Sequence, residues 1–252
     1  TGLPTKAVDE AIEVGVVRAA RDLVRSGKDR QEVFDALVDL YDRQPRLGVR
    51  TSTSMKQQAY STPAPLAYVA SELAGVTRDV VAYDSSAGNG MLLIGSDKPL
   101  ANELNPDRAE ALKSQGIRTI NRDATELTLN TPVAHVVINP PFGEVEVDGQ
   151  PKTWDVSGTK TSQVDHAITL KTLEQMTPDG KAVIIIGSKG FEKREPKPDD
   201  KRGPAYLPGK GFYDRLYDNY NVVDHFTVHG DLYSRQGAAF PVDVIVVDGK
   251  GK

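Results

Sequence analysis

The chain has 252 residues, 38% of them hydrophobic and 26% charged, with a formal net charge of -4 and no cysteine. That length suits one large α/β domain with an accessory segment, and the absence of cysteine excludes disulfides, thiolate metal sites and cysteine nucleophiles. No apolar run approaches the roughly 20 residues needed to span a bilayer, and the acidic balance means that any nucleic-acid contact must be local.

At the start, Val8, Ile12, Val16, Ala20 and Leu23 recur at helical spacing and predict a helix over 6–25. Asp29 with Glu32 resembles a capping box for a second helix whose apolar stripe is Phe34, Leu37, Val38 and Tyr41. Residues 1–50 are read as a helical cap on a main domain that covers 51–252. The first residues carry neither an initiating methionine nor a signal pattern, so a domain of a longer cytoplasmic polypeptide is expected.

From residue 50 onward strands and helices alternate, the pattern of a mostly parallel sheet covered on both faces. Strands are expected at 80–84, 100–104, 118–121, 135–139, 182–187, 222–228 and 242–248, and helices at 63–73, 106–115, 163–176 and 212–220. Thr62 and Asn105 are the expected N-caps, each followed by proline. The last two strands are too close in sequence for a helical crossover and should pair antiparallel at one end of the sheet. Segments 143–162 and 188–211 read as insertions at the edge where parallel strands end.

The first long strand runs into Asp84-Ser85-Ser86-Ala87-Gly88-Asn89-Gly90. A strand, a glycine turn and a helix start let a backbone approach a nucleoside closely and offer free N–H groups. Leu93 stands where a dinucleotide fingerprint needs glycine, which disfavours nicotinamide and flavin. Glu103 ends the second strand at the distance from which a carboxylate reaches ribose hydroxyls, and Asn105 follows it; the third strand ends in Asn121-Arg122-Asp123-Ala124, which offers a carboxylate beside an adenine ring. The fourth ends in Asn139-Pro140-Pro141-Phe142. Two prolines fix the backbone there, so that the Asn139 side-chain oxygen and the Pro140 carbonyl can accept both hydrogens of a planar amino group, with Phe142 stacking on its ring. Upstream, Tyr60-Ser61-Thr62-Pro63 can close over a ligand on the glycine turn. His225 and His229 are four apart, on one face if both lie in a strand, with no third metal ligand evident.

Taken together, the Tyr60-Ser61-Thr62-Pro63 element, 84–90, Glu103, Asp123 and 139–142 resemble the class I methyltransferases and, within them, the adenine-specific DNA methyltransferases of type I restriction-modification systems. Residues 230–237 are similar to methyltransferase domains of large phage and mobile-element polyproteins, which implies protection of DNA from restriction. The resemblance implies a seven-stranded Rossmann-like sheet with its last strand antiparallel, S-adenosylmethionine as cofactor, no metal, and methylation of adenine N6 in DNA. It assigns cofactor binding to Tyr60, Ser61, Thr62, Asp84, Ser86, Ala87, Gly88, Asn89, Gly90, Glu103, Asn105, Asp123, Ala124 and Asn139, and catalysis to Asn139, Pro140, Pro141 and Phe142. Ser85 departs from the proline usual in the family. With no separate target-recognition domain in view, weak sequence preference is expected, carried by segment 143–162 with Trp154 and by the basic insertion after Ser188, and nucleic-acid contacts are expected at Trp154, Lys189, Lys193, Arg194, Lys201, Arg202 and Arg235. The competing readings are N-methylation of RNA or of a protein glutamine, and a catalytically silent module that binds DNA or a partner.

Overall fold

A computed structural model describes residues 5–45, 61–188, 209–236 and 241–251. In chain order the elements are α1 (Thr5–Val24), α2 (Arg30–Arg43), α3 (Ala64–Leu73), β1 (Ala82–Asp84), a 3-10 turn at Met91–Leu93, β2 (Leu100–Asn102), α4 (Pro106–Ser114), β3 (Arg118–Ile120) and β4 (Val133–Ile138). The short strands β5 (Glu146–Val147), β6 (Gln150–Pro151), β7 (Trp154–Val156) and β8 (Thr159–Thr161) follow, then α5 (Val164–Glu174), β9 (Met176–Gly187), α6 (Lys210–Asn219), β10 (Tyr220–Val228), a second 3-10 turn at Gly230–Gln236, and β11 (Val242–Lys250).

All seven expected strands join one sheet, in the order β10-β11-β9-β4-β1-β2-β3. β1, β2, β3, β4 and β9 run parallel, whereas β11 is antiparallel to both β9 and β10. The central strands are apolar without interruption because both faces are covered. Val137, Val183, Ile185, Val244 and Val246 point into a core shared with α1, α2 and α3. Val136, Ile138, Ile184, Ile186, Ile245 and Val247 point into a second core under α5 and α6. Each such side chain removed from water contributes about 1.5–3 kcal/mol, so these strands fix the edge at which the polar residues gather.

The N-terminal helices form as the pattern suggests. Asp29 accepts from the Glu32 N–H at 2.9 Å and Glu32 from the Asp29 N–H at 3.2 Å, which completes the capping box. The buried stripe of α2 is Val33, Leu37 and Tyr41, a correction to the expected place of Val38, and Val8 of α1 is exposed. Val17, Ala20, Val33 and Leu37 share the first core with the sheet, and Arg25–Asp97 and Arg30–Glu72 ion pairs bind the two helices to α3 and its surroundings.

One further expectation is corrected. The N-cap of α3 is Pro63, with no side-chain cap, and Thr62 instead turns its hydroxyl to the sheet edge. Segment 143–162 is two hairpins, β5–β6 and β7–β8, closed by Asp148-Gly149 and Ser157-Gly158, all four residues at positive φ. Such two-residue loops twist as the flanking strands do, which is why they favour Asp-Gly and similar pairs. Among the described residues, no helix is long and apolar enough to cross a membrane.

Candidate active site

β1 and β4 are neighbours, paired through Ala82 with His135 and Tyr83 with Val136. The glycine turn after Asp84 and the Asn139 corner therefore leave the same edge of the sheet side by side. In the turn, the Ser86 N–H donates to the Asp84 carboxylate at 2.9 Å, and the Gly88 N–H donates to Glu103 at 2.8 Å. The other Glu103 oxygen takes the Asn105 N–H at 2.9 Å, and Asn105 caps α4 through the N–H groups of Asp107 and Arg108, as expected. Asp123 is half-buried at the start of a turn, where it accepts from Thr125.

Asn102 has a structural role that the sequence did not single out. Its amide nitrogen donates to the carbonyls of Ser85 and Arg122, and its oxygen accepts from the Arg122 N–H, so one buried side chain brackets the ends of β1, β2 and β3. Ser85 is held as well: the Thr172 hydroxyl of α5 gives its proton to the Ile168 carbonyl and can accept one from the Ser85 hydroxyl at 2.9 Å. A proline there could make no such bond.

Burial shapes the charges of this edge. Asp84, 1% exposed, is pushed up to about 8 by desolvation, with the nearby Glu103 charge adding to the effect. Burial also raises Glu103, against the pull of the Asn105 and Gly88 N–H groups.

Asn139 is oriented from two sides. Its amide nitrogen donates to the Thr62 hydroxyl at 2.9 Å, and the Tyr233 hydroxyl lies against its side chain. Tyr233 comes from the 3-10 turn at Gly230–Gln236, is 1% exposed, and is raised by burial well above the ordinary tyrosine range. Phe142 is 8% exposed and belongs to the first core, in contact range of Gly187. Its ring is a covered wall beside Asn139 rather than a free platform.

The two halves of the site are joined through consecutive residues. Thr62 holds Asn139, and Ser61 donates to Glu13 of α1 at 2.7 Å. Glu13 in turn accepts from the Asn89 amide at 2.7 Å. Glu10, one helical turn earlier, also takes an Asn89 hydrogen and pairs with Arg108 of α4. Glu10 and Glu13 were missed because, in sequence, they belong to the polar face of an amphipathic helix, which is ordinarily solvated.

The turn also has room for a ligand. A β-carbon on Gly88, at φ +53°, would meet no atom within 4 Å, and the buried Asn89 Oδ1 and Ser86 Oγ have no hydrogen-bond partner among the described residues. Open space over Gly88, in a turn whose neighbouring residues keep unmet polar atoms, fits the close approach of a nucleoside-bearing cofactor.

No protein-family model matches the sequence, and no curated protein matches it either. Solved structures do match in fold. The modification subunit of an assigned type I restriction enzyme from Vibrio vulnificus is 14% identical with a TM-score of 0.55, over 89% of this chain and 51% of that one. An assigned class I S-adenosylmethionine-dependent methyltransferase from Listeria monocytogenes is 11% identical with a TM-score of 0.55, over 89% and 70%. An assigned RNA methyltransferase from Pyrococcus horikoshii is 17% identical with a TM-score of 0.53, over 86% and 98%. The fold is that of the class I methyltransferases.

Within this methyltransferase fold, the other expected site residues fall in several places. Ala87 and Ala124 are buried beside the turn and the third strand end. Trp154 is 9% exposed in the second core, with Lys152 5.1 Å above its ring. Arg235 donates to the Gln44 carbonyl at 2.9 Å and lies over the Tyr41 ring, so it ties the Gly230–Gln236 turn to α2. Tyr60, Lys189, Lys193, Arg194, Lys201 and Arg202 lie outside the described residues. His225 bonds Tyr217 and faces Asp243, whereas His229 lies beyond the end of β10, so the two do not share a strand face.

The raised Asp84 carboxyl has a consequence for stability. A carboxyl that holds its proton more tightly when folded takes up protons on folding, between its unfolded value near ~3.9 and its folded value. Its contribution is present at low pH and is lost as pH rises through about 8. Thermal unfolding of the cofactor-free protein should therefore show a Tm that falls from pH 5 to pH 8, with a shallower slope in Asp84→Asn. An unchanged slope in that variant refutes the assignment.

Proposed function

We propose that the chain is an S-adenosylmethionine-dependent methyltransferase whose substrate is the N6 amino group of adenine in DNA. The observation that carries this reading is the link through Ser61 and Thr62, which holds the Asn139 corner beside the glycine turn on one edge of the sheet. A donor on the turn and an amino group at Asn139 would then face each other, and alignment of reactants supplies a large part of enzymatic rate.

The fit of the turn to the cofactor rests on the open volume at Gly88 and on the Ser86 hydroxyl and Asn89 amide oxygen, which have no partner among the described residues. Glu103 and Asp123 would hold its adenosine part, and Leu104, exposed directly after Glu103, offers an apolar surface for the ring. When bound, the cofactor supplies an electrophilic methyl group on a sulfonium. The Asn139 oxygen and the Pro140 carbonyl would accept the hydrogens of the target amino group and draw its lone pair out of conjugation. Donation from Asn139 to Thr62 strengthens its oxygen as an acceptor, since linked hydrogen bonds polarise one another. Two elements are covered in this structure: stacking on Phe142 requires its ring to be uncovered, and Trp154 contributes to the core. The DNA reading therefore leans on Asn139, on Pro140 and on the type I modification subunit among the fold relatives.

Transfer of labelled methyl from the cofactor to adenine-containing DNA, to RNA and to protein in parallel tests the proposal. Label on DNA as N6-methyladenine is expected. Label on RNA alone would move the assignment toward the chemistry named for the Pyrococcus relative, and label on protein alone would refute a nucleic-acid substrate.

A further inference from the structure

In the proposed reaction α1 serves only to join the two halves of the site, yet it also brings acidic groups to the glycine turn. Glu10 and Glu13 are three residues apart and leave the same face of the helix. Glu10 is neutralised by Arg108, which reaches it through Nε at 3.0 Å and Nη2 at 2.8 Å. Glu13 is half-buried; its hydrogen-bond donors among the described residues are neutral, the Ser61 hydroxyl and the Asn89 amide, both on Oε2, and Arg108 acts on it through its charge alone. Its Oε1 accepts nothing among the described residues.

Asn89 supplies the second observation. At 6% exposure, it gives its amide nitrogen to Glu10 at 3.0 Å and to Glu13 at 2.7 Å. Two carboxylate partners fix which end of the amide is nitrogen, and the opposite end, Oδ1, is buried and has no partner among the described residues. Beside it, the space over Gly88 is open. This side of the turn thus carries a carboxylate with one oxygen that accepts nothing and a buried amide oxygen that accepts nothing among the described residues. What suits such a pair is a compact cation with several N–H donors.

We infer that α1 completes the cofactor site: Glu13, together with the Asn89 Oδ1, receives the α-ammonium of the cofactor's methionine end. The inference rests on the methyltransferase reading and adds a residue from outside the sheet to it. Burial pushes Glu13 above the ordinary carboxylate range, and an arriving ammonium would reverse that. The Glu103 end of the site would take the adenosine part, so the two ends of the ligand are read by separate carboxylates.

Calorimetric titration of the whole chain with three ligands tests this. S-adenosylmethionine and S-adenosylhomocysteine both carry the amino acid, whereas 5′-methylthioadenosine keeps the nucleoside and thioether but lacks it. Glu13→Gln retains an acceptor for Ser61 and Asn89, so α1 stays seated and methylthioadenosine should bind as it does to the parent chain. The first two ligands should weaken by about tenfold or more, the loss of one charge-assisted bond. Equal weakening of all three would make Glu13 a merely structural residue and overturn the inference, as would no weakening at all. Weakening of S-adenosylmethionine alone would overturn it too, because the sulfonium and not the ammonium would then be sensed. If the parent chain binds none of the three, the methyltransferase reading itself falls.

Discussion

Asn139→Ala is expected to lower the rate of methyl transfer by about 10²- to 10³-fold, the scale seen when one positioned polar group is removed from a reacting centre, while cofactor affinity changes little. The side chain sits at the end of β4, held by Thr62 and faced by Tyr233, and the cofactor-side contacts of Glu103, Asn89 and Glu13 do not pass through it. Loss of Asn139 therefore removes an acceptor from the target amino group without opening the glycine turn. Thr62→Val should give a smaller loss, about tenfold, because Asn139 remains but loses the partner that orients and polarises it. Single-turnover transfer measured beside a cofactor titration separates the two effects. An Asn139→Ala rate within tenfold of the parent chain would remove the corner from the mechanism, whatever the substrate proves to be.

Much of this arrangement was legible in the chain because the signals are local. Continuous apolar runs marked the strands at the centre of the sheet, β4, β9 and β11, and the short sequence between β10 and β11 required the antiparallel pair. The Asp29 capping box formed as read, since its partners lie three residues apart. The polar groups after β1, β2, β3 and β4 were visible as an ordered set at successive strand ends, where each taken singly fits a surface charge or a turn. What stayed hidden depends on tertiary neighbours. Asn102 looks like a strand-end asparagine until three strand ends meet around it. Glu10 and Glu13 look like solvated positions until α1 lies over the turn. Thr62 followed by proline fits a helix cap, and only the proximity of Asn139 gives its hydroxyl another partner. Asp148-Gly149 and Ser157-Gly158 are hairpin signals in themselves, but their flanking strands are only two or three residues long and lack an extended alternation.

The two glycines of the turn should fail in different ways, and the contrast separates folding from binding. Gly90 adopts φ +91° with ψ 21°, and a β-carbon there would lie 3.1 Å from Ile117 Cδ1 and from Leu112 Cδ2, both in buried side chains. Gly90→Ala therefore combines an unfavourable backbone with overpacking of the first core, and a loss of about 2–4 kcal/mol is expected from the two together. Gly88, at φ +53°, lies in the left-handed region that an alanine can enter at about 1–2 kcal/mol. Its added methyl would touch nothing within 4 Å of the protein, and its N–H could still reach Glu103. Gly88→Ala should thus lose only that backbone cost and stay folded, but its methyl would stand in the open volume assigned to the cofactor. Urea unfolding should place the larger loss at Gly90→Ala. Among the molecules that remain folded, titration with S-adenosylmethionine should place the larger loss of affinity, about tenfold or more for a misfit of one methyl group in a close-fitting site, at Gly88→Ala. Parent-like affinity in Gly88→Ala would mean that the space over the turn is not where the cofactor lies, and the facing of donor and amino group on which the proposed reaction depends would be lost with it.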